Sequence, residues 1–168
     1  MKQQYMIKRV PLLGVFITLA LILSYIESLI PFYFGIPGMK LGLCNALVVI
    51  LLYMVPPAEA LLVNLLRIIL SGFMFGNAFS IIYSLAGGCL SFLIMYILCR
   101  MDKFAIITIS IAGGVAHNIG QLIVAALVMT SINIFWYAPV LVLSGAITGA
   151  IIGIISTEIL IRIRPLFR

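Results

Sequence analysis

The sequence predicts an all-α polytopic membrane bundle of six transmembrane helices, and three observations predict it. Of 168 residues, 65% are hydrophobic and only 8% are charged, too little charge to cover a water-exposed surface of this size. The apolar residues fall into runs long enough to cross hydrocarbon at about 1.5 Å per helical residue. Basic residues gather beside those runs, at Lys2, Lys8 and Arg9, at Arg100 and Lys103, and at Arg162, Arg164 and Arg168. That is the positive-inside pattern, so topology and anionic headgroups account for the net charge of +6 and no nucleic-acid partner is expected.

The first run, 12–30, closes at Pro31. Its basic start and apolar core resemble a signal peptide, but no small-x-small cleavage site follows and the rest of the chain is equally apolar, so it reads as a retained helix. The stretch 31–40, with Gly35, Pro37 and Gly38, breaks helical pattern and reads as an external connection. The second run, 41–55, is short and ends at Pro56 and Pro57; these begin the third, 58–75, whose first turn carries Glu59 where the helix dipole favours an anion. Three further helices are expected over 78–99, 104–130 and 137–161. Alternating crossings from a cytoplasmic N-terminus put both termini and every basic cluster on one side, with Lys40 the exception. Trp136 and Tyr137 fall at the outer edge of the last helix, where amphipathic rings favour the interface. Nothing divides the chain, so 1–168 reads as one membrane domain.

Small residues cluster inside the later helices. Gly145, Gly149 and Gly153 recur at every fourth position, Gly87 and Gly88 are adjacent, and Gly113, Gly114 and Gly120 bracket His117. Such ridges let helices approach closely; a surface for a partner membrane subunit is the alternative use for Gly145, Gly149 and Gly153.

Arg67 and His117 lie near the middle of two of these apolar runs. An ionisable group at that depth costs at least about 2.5 kcal/mol and persists only when it faces protein, a partner or a ligand. Helical spacing puts Asn64, Arg67 and Ser71 on one face and Gly113, His117 and Gln121 on another, with Asn118 turned about 100° from His117. Glu27, Lys40 and Asn45 stand nearer the outer boundary. Arg67 has two readings: an internal partner, either Glu27 or neighbouring carbonyls and Asn side chains, or a contact that joins Lys40 in holding an anionic ligand head, for which a guanidinium fork is suited. His117 is either bonded internally, to Gln121 or a backbone group, or a ligand and proton contact.

The acids restrict the chemistry. Only four are present, Glu27, Glu59, Asp102 and Glu158. Glu59 reads as a helix-start residue, Asp102 as part of a basic loop and Glu158 as a partner of Arg162. Prenyl diphosphate chemistry by the common route needs paired Asp-rich motifs to hold magnesium, and the chain has one Asp. No phosphate loop, Ser-His-Asp set or haem or flavin attachment motif occurs, and a lone His with scattered Cys44, Cys89 and Cys99 does not suggest a metal site or a disulfide framework. No enzyme activity, catalytic residue or intrinsic cofactor is expected.

At its polar positions the chain resembles a known family of small bacterial membrane proteins, the Gx transporters, whose older name is heptaprenyl diphosphate synthase component I. The stretches that carry the resemblance are SYIESLIPF (24–32), PGMKLGLCNALVV (37–49), EALLVNLLRIILSGFMFG (59–76), FSIIYSLAGGCLSF (79–92), AGGVAHNIGQLIVAALVM (112–129) and APVLVLSGAITGAIIG (138–153). The resemblance implies a multi-pass protein of the bacterial plasma membrane. Carried over by position, it makes Glu27, Lys40, Asn45, Arg67, His117, Asn118 and Gln121 the polar members of the motifs; Asn64 joins them from helical spacing. In size and helix count the family is similar to the substrate-binding S-components of energy-coupling factor transporters, which implies an S-component-like bundle.

Three functions follow as expectations. The leading one is a binding or transport protein for a small molecule with an anionic or polar head, an isoprenoid or quinone being candidates. A second is a noncatalytic membrane accessory that docks a prenyl synthase at its cytoplasmic loops, as the older family name implies. A third is a quinone-binding component of an electron-transfer chain with a flavoprotein partner.

Overall fold

A computed structural model of the chain describes residues 2–29 and 42–163. The described residues form six α-helices: α1 (Lys2–Leu29), α2 (Asn45–Met54), α3 (Pro57–Phe75), α4 (Ala78–Arg100), α5 (Ile106–Val128) and α6 (Ala138–Ile163). A 3-10 turn at Ile132–Tyr137 leads into α6. Local chemistry sets several ends. Pro57 occupies the first position of α3 and Glu59 its first turn, while the Asn77 side chain caps α4 by accepting from Ser80 N at 2.8 Å.

Two boundaries depart from the sequence reading. Hydrogen bonding carries α1 upstream of the apolar run to Lys2, with Pro11 inside the helix; the proline removes one N–H from the ladder without ending it. The second departure matters more. Where an apolar run over 41–55 suggested a full crossing, α2 has only 10 residues, about 15 Å, or half the hydrocarbon thickness. Gly42 adopts the left-handed region, φ +81°, which suits glycine and starts the chain into its first turn only there. At the other end Val55 is extended, as a residue before proline prefers. Among the described residues five helices are therefore long and apolar enough to cross a membrane, and α2 is a buried half-length helix, with Leu47, Val48, Val49, Ile50 and Leu51 all in the core.

The long helices form an arc around α2. Helix α1 lies along α3, α3 along α4, α4 along α5 and α5 along α6, while α2 touches α3, α4, α5 and α6. Large apolar side chains such as Phe73, Leu127, Leu143 and Ile161 point outward, as lipid-facing residues do. Helices α4, α5 and α6 pack nearly backbone to backbone. A Cβ on Gly120 would lie 2.8 Å from Ala86 O, one on Gly149 2.7 Å from Ile111 Cα, and one on Gly153 2.7 Å from Ile107 Cα; Gly114 and Gly145 face each other across the same seam. The every-fourth glycines of α6 are thus used inside the chain, against α5.

Gly149→Val should force α5 and α6 apart, costing about 1 to 3 kcal/mol as overpacking does. Thermal unfolding of the purified protein in detergent checks this. Gly14→Ala, at an α1 position with open space around it, should leave the midpoint unchanged or raise it slightly.

Candidate functional site

Two apolar clusters leave a polar layer between them. The larger holds Phe16, Ala20, Leu47 to Leu51, Val63, Phe92, Met95 and Ile109. The smaller, toward the 3-10 turn, holds Tyr83, Leu122, Ala125, Ile134 and Leu141. Between them Glu27, Asn45, Asn64, Arg67, Ser71, Asn118 and Gln121 are all buried, as is His117.

The start of α2 organises this layer. A helix begins with N–H groups that have no intrahelical partner, and here they begin inside the protein. The first amides of α2 bond back to the turn before it, Asn45 N to Gly42 O and Ala46 N to Leu43 O; the carboxylate of Glu27, from α1, takes the amides of that turn, Gly42 N donating to Oε1 at 2.5 Å and Leu43 N to the same oxygen at 3.3 Å. One turn away on α1, Ser24 Oγ lies 3.1 Å from Cys44 Sγ. Negative charge at this point also complements the positive end of the α2 dipole. Glu27 therefore holds, from another helix, the turn that leads into α2.

That placement decides between the internal partners open to Arg67. The guanidinium is 4% exposed, so it does not reach toward a headgroup layer. No ion pair with Glu27 forms; instead Nε and Nη2 both donate to Asn64 Oδ1, at 3.1 and 3.0 Å. Asn64 is held in turn, its Nδ2 donating to Gly88 O at 3.3 Å. The partner is neutral, and no other acid compensates. Glu59 sits in the first turn of α3, Asp102 in the exposed turn after α4, and Glu158 lies 3.8 Å from Arg162 on the surface of α6, where such a pair contributes little. Among the described residues Arg67 keeps a buried positive charge with no carboxylate against it.

Gly87 and Gly88 bring the other groups close. A Cβ on Gly87 would lie 2.7 Å from His117 O, 2.9 Å from Gln121 Cγ and 3.1 Å from His117 Cε1; one on Gly88 would lie 3.4 Å from Asn64 Nδ2 and 3.9 Å from Arg67 Nη2. Two bare positions of α4 thus separate the α3 groups from the α5 groups. On the far side of the imidazole, a Cβ on Gly42 would lie 3.1 Å from His117 Cδ2 and 3.0 Å from Asn45 Nδ2. Both amide atoms of Asn45 and both of Gln121 have no hydrogen-bond partner among the described residues, so the expected bond from His117 to Gln121 does not form.

The structure divides the expected residues. It gathers Asn45, Asn64, Arg67, His117 and Gln121, with Glu27 bonded to the turn before α2. Asn118 faces elsewhere, its Nδ2 donating to Leu141 O at 2.8 Å and to Ser144 Oγ at 3.2 Å, where it ties α5 to α6. Lys40 lies outside the described residues. Sequence reasoning missed Gly42; its position three residues before Asn45, at the head of an apolar helical run, was the available signal.

A family model described as heptaprenyl diphosphate synthase component I matches residues 16–159. The chain belongs to this family. The match takes in every gathered polar residue. No curated protein and no solved structure matches it significantly.

Glu27→Leu should remove the acceptor for two buried amides and destabilise the protein by about 1 to 3 kcal/mol. Faster hydrogen exchange at Gly42 and Leu43 would register it, with Glu27→Gln, which keeps one carbonyl acceptor, showing a smaller change.

Proposed function

We propose that the protein is a noncatalytic membrane component that binds, and passes across or along the membrane, a small molecule with an anionic head held at Arg67. The observation that carries this reading is the buried guanidinium whose hydrogen bonds end on a neutral side chain while the Glu27 carboxylate is spent on the amides of the turn before α2. A buried charge without a counter-charge is costly, and an arriving anion removes that cost. His117, Asn45 and Gln121 orient the rest of the ligand. An isoprenoid or quinone-type molecule is the candidate implied by the family, and Lys40 is a proposed second cationic contact. The basic ends of α1, α4 and α6 face the cytoplasm of a bacterial plasma membrane in this reading, as positive-inside topology requires.

A second reading is favoured by the family description itself, which names a component of a synthase. In it the protein docks a soluble prenyl diphosphate synthase at the turn between α4 and α5. The two readings are compatible, since a docked enzyme would use or supply the bound molecule.

Arg67→Gln should weaken binding of an anionic ligand by about 1 to 3 kcal/mol, the loss of a charge-assisted hydrogen bond, with helicity retained by circular dichroism. Unchanged affinity in the folded variant would remove Arg67 from the site. For the docking reading, a prenyl synthase from the same cell should co-purify with the wild-type protein and be lost when Arg100 and Lys103 become Glu; retention would count against it.

A further inference from the structure

The two carboxamides beside His117 say what kind of anion the layer accepts. Asn45 is 2% exposed and Gln121 is fully buried, and neither amide nitrogen nor either amide oxygen meets a hydrogen-bond partner among the described residues. Each carboxamide carries two N–H donors and one acceptor oxygen. Leaving all of these unmet in a membrane interior is unfavourable, and a ligand that meets only part of them recovers only part of the cost.

We propose that Asn45 and Gln121 are specificity-determining contacts that select an acid bearing a group able both to donate and to accept hydrogen bonds, an amide, lactam or hydroxyl, over an anion that can only accept. The inference rests on Arg67 as the anion contact. Its chemistry is a matter of counting. A diphosphate, a simple carboxylate or a quinone carbonyl accepts from the N–H groups but offers nothing to Asn45 Oδ1 and Gln121 Oε1. An amide or lactam edge satisfies both kinds of atom.

The placement fits one molecule. The His117 ring has the Asn45 amide on its Cδ2 side, through Gly42, and the Gln121 stem on its Cε1 side, through Gly87; the guanidinium lies past Gly88, the next residue of α4. An acid with its charge at Arg67 and a polar edge a few bonds away meets both sets. The imidazole lies between them.

Matched pairs of acids test this on the full-length protein in detergent, with affinity read from ligand-dependent thermal stabilisation. Hippurate carries an amide where 4-phenylbutyrate has two methylenes, and orotate carries lactam edges where benzoate has ring carbons. The amide or lactam member of each pair should bind about tenfold tighter or more, as expected for even one recovered hydrogen bond. Gln121→Met and Asn45→Leu should shrink that ratio toward one. Equal affinity within both pairs in the wild-type protein would overturn the proposal while leaving Arg67 as an anion contact. Tighter binding of farnesyl diphosphate than of hippurate or orotate, unaltered in Gln121→Met, would also overturn it. If none of these anions stabilises the protein, the Arg67 reading fails first and this one falls with it. A variant that does not fold removes nothing from the comparison, because the wild-type ratios decide it alone.

Discussion

A helix that begins in the middle of a protein is led in by a turn whose own N–H groups must be answered there, and in this chain one carboxylate answers them. Glu27 reaches from α1 to the amides of Gly42 and Leu43. With the amides of this turn met by Glu27 and the first amides of α2 bonded back to its carbonyls, α2 can be half the membrane thickness in length without leaving those donors unpaired. The same bond removes from circulation the acid closest in sequence reading to Arg67. The uncompensated guanidinium and the buried half-helix are thus two results of one interaction.

The arc of long helices follows from what surrounds that point. Large apolar side chains fill the space along α2, while glycine on α4, α5 and α6 draws those backbones together and leaves room for the polar side chains that face inward. At the level where α2 starts, the α4 surface is two glycines wide. Bulk in one place and its absence in another produce a layer in which Asn45, Asn64, Arg67, His117 and Gln121 meet.

Much of this was legible in the sequence, and the reasons differ by residue. Helices α3 to α6 announce themselves by long apolar runs ended by Pro, Gly or charge, and periodicity alone aligns Asn64 with Arg67 and His117 with Gln121. The bond between Asn64 and Arg67 follows from their spacing. What periodicity does not carry is long-range pairing. Nothing local says that Glu27 prefers two backbone amides to a guanidinium, and hydropathy cannot distinguish a lipid-facing crossing from a short helix buried among the others, so 41–55 read as a span. Asn118 shows the same limit: one residue from His117, it turns to α6 and closes a packing contact. The likeness to S-components rests on helix count and size, since no solved structure matches.

Close backbone seams also set where the molecule is stiff. Side chains can hop between rotamers and so let two helices slide, but glycine against glycine has nothing to rearrange. Helices α4, α5 and α6 therefore behave as a single plate that carries the imidazole and Gln121, whereas Arg67 on α3 and Asn45 on α2 stand on neighbours joined to that plate mainly through side chains. Any parting of the gathered polar groups has its compliant joints on the α2 and α3 side, and the plate supplies the fixed wall against which they work.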